Sequence, residues 1–103
     1  MSNTKEQSVG SLLKEYRKAE GLVMRKAAAL GDMDPSALSR IENGRRLPTA
    51  SQLAVLAEIY GRPLDSLQAV LSYSEIKEKY GQSEHFEKTL QLLNEDAAHY
   101  GDP

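Results

Sequence analysis

The stretch that decides the fold is DPSALSRIENG, residues 34–44, which reads as one short helix with a marked beginning and end. Asp34 can accept hydrogen bonds from the first free backbone N–H groups, and the proline after it suits the first helical turn. Gly44 stands where a left-handed residue ends a helix. Leu38 and Ile41 form one apolar edge. Because so short a helix is not stable alone in water, this edge must pack against a larger helical body.

Two further helices are predicted upstream. Apolar residues recur at i, i+3, i+4 and i+7 through residues 8–20, which is the spacing of an amphipathic helix, and Gly21 ends it. Residues 24–30 form a second, alanine-rich helix, and residues 31–33 make the tight turn into the central stretch. The apolar face of the first helix consists of Val9, Leu12, Leu13 and Tyr16.

Two more helices are predicted downstream. Thr49 and Gln52 have the spacing of a capping box, which begins a fourth helix, and Gly61 separates this helix from a fifth. Because no alternating strand pattern occurs, we predict an all-α, five-helix domain over residues 8–71 that follows a flexible segment 1–7. The inner faces of the last two helices hold Leu53, Leu56, Ala57 and Tyr60, then Leu64, Leu67, Val70 and Leu71.

A C-terminal helical extension, residues 72–103, is predicted after this domain. Residues 74–80 can continue the fifth helix, residues 81–83 form a break, and a last helix then carries a narrow apolar stripe on a polar background. This stripe either covers the domain's own core or forms a homodimer contact together with Leu67 and Val70, since the domain is complete without it. The stripe consists of Phe86, Leu90, Leu93 and Ala97.

Charge is divided unevenly along the chain. Residues 1–49 carry nine Lys and Arg against six Asp and Glu, a net +3, whereas residues 50–103 carry four against nine, a net −5. A basic half favours a polyanionic partner, with ordinary fluctuation of composition as the alternative. The sequence has no cysteine, no basic-then-apolar leader and no apolar run of about 18 residues. We therefore expect a cytoplasmic protein without a membrane span, disulfide or thiolate zinc site.

The sequence SRIENG at residues 39–44, followed by RRLPT at residues 45–49, resembles the XRE family of helix-turn-helix DNA-binding proteins. These are the repressors of the lambda-repressor and Cro type, and the resemblance covers about residues 8–71. It extends to Arg17 in the first helix. The resemblance implies that Arg17 forms a bidentate ion pair with Glu42 beneath the DNA-binding surface, which joins the first helix to the third.

The same resemblance implies a transcriptional regulator of bacterial or phage type that binds double-stranded DNA sequence-specifically and needs no cofactor. The helix over residues 35–43 would lie in the major groove, and a homodimer would read a palindromic operator. Arg40 is expected to be the best base reader because its guanidinium matches two acceptors of guanine. The implied base-reading residues are Ser36, Ala37, Ser39 and Arg40, and the implied DNA-backbone contacts are Asn43, Arg45 and Arg46.

The sequence departs from the family pattern at the start of the second helix. Val23 and Met24 stand where relatives have Ser or Thr followed by a phosphate-binding Gln, and neither can cap a helix or bind phosphate. We expect Arg25 and Lys26 to supply the missing contact to the DNA backbone. Asp34 would repel phosphate, so we assign it to helix capping.

Other interpretations stay open. Arg40 can belong to a surface salt bridge, and Arg45 and Arg46 can form a solvated loop. The chain can also be an antitoxin or adaptor whose C-terminal helix binds a partner protein, with DNA binding secondary. An enzyme is disfavoured because His85 and His99 belong to no constellation of nucleophile and carboxylate. Glu95 stands four residues before His99, a spacing at which the two can coordinate a metal, but we expect solvated side chains there and no metal site.

Overall fold

The computed structural model describes residues 8–100, with side chains as far as residue 96. The predicted flexible segment 1–7 and the side chain of Ala97 lie outside this part. The described residues form six helices and contain no strand, which confirms the predicted all-α class. None of these helices is long and apolar enough to span a membrane. The helices are α1 (Val9–Ala19), α2 (Met24–Leu30), α3 (Pro35–Glu42), α4 (Ala50–Tyr60), α5 (Leu64–Tyr80) and α6 (Phe86–Tyr100).

Side-chain caps define the beginnings of α1 and α4. The backbone N–H of Ser11 donates to the hydroxyl of Ser8 at 3.1 Å. The predicted capping box is complete at α4. The backbone N–H of Gln52 donates to the Thr49 hydroxyl at 3.1 Å, and the backbone N–H of Thr49 donates to the Gln52 side chain at 3.0 Å. Each cap satisfies N–H groups that have no partner inside the helix.

Both α2 and α3 begin without a side-chain cap. Val23 precedes α2, and its apolar side chain accepts no cap hydrogen bond, as predicted. Asp34 precedes α3, but its carboxylate also accepts none from the helix, so the predicted capping role is wrong. This carboxylate is exposed, and hydrogen bonds to water compete with a cap bond at little cost. The end of α3 is as predicted, because Gly44 adopts a left-handed φ of 76°.

The core lies where the first five helices meet. Leu38 and Ile41 are completely buried, so the apolar edge of the central stretch is the face that α3 packs inward. Burying a side chain of this size stabilises a fold by roughly 1.5–3 kcal/mol. The other buried apolar residues are Val9, Leu13, Ala27, Ala28, Leu53, Leu56, Ala57, Tyr60, Leu67 and Leu71.

Gly10 sets the distance between α1 and the end of α3. A Cβ atom at this position would overlap the backbone oxygen of Ile41 and would lie 3.2 Å from the backbone oxygen of Glu42. Glycine therefore lets the two helices approach until their backbones touch. This contact positions the end of α3 against the first turn of α1.

The helix α5 runs without a break from the core into the C-terminal extension. Leu71 is its last buried residue, whereas residues 72–80 are half-buried or exposed. The predicted division at residue 71 therefore marks the end of the core and not the end of a helix. A turn at residues 81–83 follows, and α6 makes only sparse contacts with the other described helices.

Gly10→Ala should destabilise the protein although alanine is the better helix former. Moving two packed helices apart to admit a methyl group costs about 1–3 kcal/mol, and the overlap with backbone rather than a flexible side chain favours the upper part of this range. The gain in helix propensity is only about 1 kcal/mol. Thermal unfolding followed by circular dichroism measures the balance. A melting temperature equal to or above that of the wild type would contradict the close contact.

Candidate nucleic-acid interface

One polar face of α3 is open to solvent. Ser36, Arg40 and Asn43 are exposed, and Ser39 is half-buried beside them. Their spacing of three or four residues places them on the same side of the helix. The side-chain amide of Asn43 donates to the Ser39 hydroxyl over a long distance of 3.4 Å. Ala37 is half-buried at the margin of this face, so all four residues predicted to read bases lie on or beside it.

Five exposed basic side chains are distributed over α2, α3 and the loop after α3. The helices α2 and α3 pack against each other, which brings these two elements to one region of the surface. Within the described residues, none of the five forms an ion pair with a carboxylate. The alternative in which Arg40 belongs to a surface salt bridge therefore has no carboxylate partner among the described residues. The five residues are Arg25, Lys26, Arg40, Arg45 and Arg46.

Beneath this surface, Arg17 of α1 and Glu42 of α3 form a bidentate ion pair. The Nε of Arg17 lies 2.8 Å from Oε2 of Glu42, and Nη2 lies 3.0 Å from Oε1. The side chains are 10% and 1% exposed, respectively, so the pair is shielded from water. Two parallel hydrogen bonds fix both the distance and the orientation of the two groups. The resemblance implied this arrangement between α1 and α3.

The same guanidinium holds the chain between α1 and α2. Nη1 of Arg17 donates to the backbone oxygen of Leu22 at 2.9 Å. The hydrogen bond to Glu42 is the main cause that raises the pKa of Arg17, and burial opposes it. The contact to Leu22 was not predicted from the sequence. The residue type does indicate such a contact. A guanidinium has five N–H donors, Glu42 accepts from only some of them, and a buried guanidinium needs acceptors for the others.

Tyr60 of α4 lies next to the ion pair. The residue is 1% exposed, and its hydroxyl has no hydrogen-bond partner among the described residues. Burial raises the pKa of Tyr60 to about 12; the negative charge of Glu42 also raises it, and the positive charge of Arg17 lowers it. The phenol is therefore kept neutral beside two charged groups. Its sequence spacing predicts only that Tyr60 belongs to the apolar face of its helix, and not that it lies beside the ion pair.

The residues predicted for dimerisation divide into two groups. Leu67 is 1% exposed inside the domain, so its assignment to a dimer surface is wrong: the protomer's own core already covers it. Val70 is half-buried and packs against the same core. By contrast, Phe86, Leu90 and Leu93 of α6 line a groove whose opposite wall is the end of α5.

The described residues contain no group of three or more His, Cys, Asp or Glu side chains that could hold a metal ion. His85 lies exposed just before α6. The side chain of His99 lies outside the described part of the chain.

Comparison with known proteins adds two findings. A family model described as a helix-turn-helix domain matches residues 8–70. Among solved structures, the crystal structure of the clp gene regulator ClgR from Corynebacterium glutamicum matches with a TM-score of 0.57 at 22% sequence identity, over 91% of this chain and 86% of that chain. At this identity the likeness concerns the fold. Comparison with curated proteins gives no match.

Arg17→Ala should strongly destabilise the protein, because it leaves the carboxylate of Glu42 buried without its partner. Breaking a buried pair in this way costs about 3–5 kcal/mol, which lowers the melting temperature of a domain of this size by more than about 10 °C. Glu20→Ala is the control. It breaks a pair with Arg62 that is 3.8 Å long and partly exposed, which is worth about 0–1 kcal/mol. Equal effects of the two substitutions in thermal unfolding would contradict a special role for the buried pair.

Tyr60→Phe should leave the protein at least as stable at pH 7, because it removes a buried hydroxyl without a partner. In the wild type the folded state keeps Tyr60 neutral up to about pH 12, whereas the unfolded chain ionises near 10.0. Stability must therefore fall as the pH rises between these values. The variant should lack this part of the alkaline loss, about 1–3 kcal/mol. Urea unfolding of both proteins from pH 7 to 12 measures it, and parallel curves would contradict the shifted pKa.

Proposed function

The chain belongs to the family of helix-turn-helix domains, and from this premise we propose that it is a transcriptional regulator that binds double-stranded DNA sequence-specifically. In this proposal α3 lies in the major groove, which is wide enough for one α-helix, and its polar face meets the base edges. The fold that the chain shares with the clp gene regulator ClgR supports a function of this class.

The observation that carries the proposal is the way α3 is held. Its inner side is fixed by the buried side chains of Leu38 and Ile41 and by the ion pair of Glu42. Its outer side exposes Ser36 and Arg40. A helix held so firmly can present these side chains in one orientation, so little conformational freedom is lost on binding DNA.

Base reading is assigned to the exposed face of α3. Arg40 donates two hydrogen bonds to O6 and N7 of a guanine, the pairing that its planar fork matches best. The hydroxyls of Ser36 and Ser39 bond to base edges or phosphates, and the methyl group of Ala37 contacts a thymine methyl. Arg40 is the only one of these four side chains that can make a bidentate contact, so it carries most of the discrimination.

Contacts with the DNA backbone are assigned to the flanking residues. Arg45 and Arg46 follow α3 in an exposed loop, and Arg25 and Lys26 lie in the first turn of α2. Together with Asn43 they contact phosphates, which sets the position of α3 and makes affinity depend on salt. The basic N-terminal half of the chain, net +3, supplies the attraction.

A homodimer on a palindromic operator completes the proposal. One small domain makes too few base contacts for tight specific binding. Two domains related by a two-fold axis read half-sites about one helical turn, ~34 Å, apart. The acidic C-terminal half, net −5, suits the side of the dimer that faces away from DNA.

A second candidate function is an antitoxin or adaptor that binds a partner protein through α6. The observation in its favour is the exposed apolar side chains of α6, with Leu92 and Leu93 each more than half exposed. The two functions differ in what the pure protein does. A regulator of the proposed kind shifts operator DNA alone, whereas an adaptor does so only with its partner protein present.

Arg40→Ala and Arg45→Ala should weaken DNA binding in different ways. Loss of the base reader costs about 1–3 kcal/mol on the operator and abolishes the preference at one base pair. Loss of a phosphate contact weakens binding to all sequences alike and reduces the salt slope by about one. The measurement is fluorescence anisotropy on an operator selected from random DNA and on a scrambled duplex, over a salt series.

The two substitutions are matched, because each removes one exposed arginine from the same surface. Lys14→Ala on α1, a residue to which the proposal assigns no DNA contact, is the control for a general loss of positive charge. If Arg40→Ala weakens binding to operator and scrambled DNA equally, Arg40 does not read bases. If wild-type protein binds both duplexes equally at every salt concentration, the proposal of sequence-specific binding fails.

A further inference from the structure

A cavity lies where the start of α1, the end of α3 and the second half of α5 meet. Its volume is about 390 Å³, which falls within the usual range of ligand pockets, roughly 300–1,000 Å³. It is lined by residues 8–10, by Ile41 and the loop after α3, and by the second half of α5. We call it the α1–α5 cavity. Because one of its walls is the loop that follows α3, a molecule bound there would lie beside the proposed DNA contacts of that loop.

The floor of the α1–α5 cavity is apolar and belongs to the core of the domain. Val9, Gly10 and Ile41 are buried, and Gly10 lies against the backbone oxygen of Ile41. The half-buried side chains of Leu47 and Tyr73 add apolar surface to the walls. A ligand with an apolar body can therefore pack against this floor while the packing of α1 against α3 stays as it is.

The opening of the cavity carries charged groups. Arg46, Lys77 and Glu78 line it and are exposed, so two basic side chains stand against one acidic side chain. Arg46 forms no ion pair with a carboxylate in the part of the chain that the structure describes. The N-terminal end of α1, with its partial positive charge, lies at the same cavity. An anionic group is therefore favoured at the opening, above the apolar floor.

We infer that the α1–α5 cavity is an effector site: it binds a small amphipathic anion, an apolar ring system that carries one carboxylate, and this ligand weakens DNA binding. The ring system packs on Val9, Ile41 and Leu47, and the carboxylate pairs with the guanidinium of Arg46. The proposed function assigns the same guanidinium to a DNA phosphate, so ligand and DNA compete for it. The effect on DNA rests on that proposed function, whereas binding of the ligand does not.

The probe for the site is 2-naphthoate. Its control is 2-naphthalenemethanol, which has the same rings without the negative charge. NMR spectra of the isotope-labelled full chain, recorded during titration without DNA, locate the binding site by the shifts of the backbone amide signals and give the dissociation constant. The signals of Gly10, Gly44 and Ser74 should shift until they saturate. The uncharged control should bind about threefold more weakly, because it cannot pair with Arg46.

Two adjacent arginines make a matched test of the charge. Arg45 and Arg46 are both exposed in the loop after α3, but only Arg46 lines the cavity. Arg46→Ala should raise the dissociation constant for 2-naphthoate about threefold, whereas Arg45→Ala should leave it near the wild-type value. Both side chains are at the surface, so neither substitution removes a contact of the core.

Two serines of α5 make a matched test of the space. Ser74 lines the cavity, whereas Ser72 is exposed on the same helix and does not. Ser74→Phe should raise the dissociation constant for 2-naphthoate at least about tenfold, because its ring occupies the volume that the ligand needs. Ser72→Phe should bind the probe as the wild type does. If Ser74→Phe fails to fold, the arginine pair still decides the location.

Fluorescence anisotropy on operator DNA measures the effect of the ligand on DNA binding. Saturating 2-naphthoate should weaken binding of the wild type about fivefold, an ordinary strength of coupling between two sites. Arg46→Ala has lost the shared group. For this variant, the ratio of the DNA dissociation constants with and without 2-naphthoate should therefore be close to one.

The absence of saturable shifts up to the solubility limit of 2-naphthoate would overturn the inference. So would equal binding of the uncharged control, shifts confined to the groove between the end of α5 and α6, or an unchanged affinity for DNA when the cavity is occupied. Failure of the proposed function gives a different result. If the wild type binds 2-naphthoate in the cavity but binds no DNA, that function fails alone, and the ligand site stands because its titration contains no DNA.

Discussion

The orientation of the polar face of α3 depends on the ion pair between Arg17 and Glu42. Burying two charges is costly, so such a pair is weak evidence of net stability. Its effect is geometric. One guanidinium bonds to Glu42 at the end of α3 and to the backbone oxygen of Leu22 before α2, so it ties α1 to both helices of the motif. Tyr60 is neutral and buried beside the pair, and its hydroxyl forms no hydrogen bond with either charged group.

Much of the fold could be predicted from the sequence alone. Four of the eight ends of α1 to α4 coincide with a local signal: Ser8, Gly21, Gly44 and the capping box at Thr49. The fold class is confirmed, and so is the resemblance to helix-turn-helix DNA-binding proteins, by a family match over residues 8–70. Local chemistry decides these features, which is why a single sequence carries them.

Features that depend on distances between helices could not be predicted in this way. Gly10 lies in a helix and gives no turn signal, yet the backbone of α3 fills the space beside it. Leu67 has the same helical spacing whether it faces the core or a partner, and only packing decides between the two. Asp34 has the right residue type and position for a cap but leaves its carboxylate in water. Periodicity defines a face and does not identify what covers it.

The continuity of α5 links the two halves of the molecule. Leu67 and Leu71 anchor this helix in the core that supports α3, and Ile76 and Tyr80 of the same helix line the groove between the end of α5 and α6. Its 17 residues span about 25 Å as one rigid rod. Whatever occupies the groove is therefore held at a fixed distance and rotation from the polar face of α3.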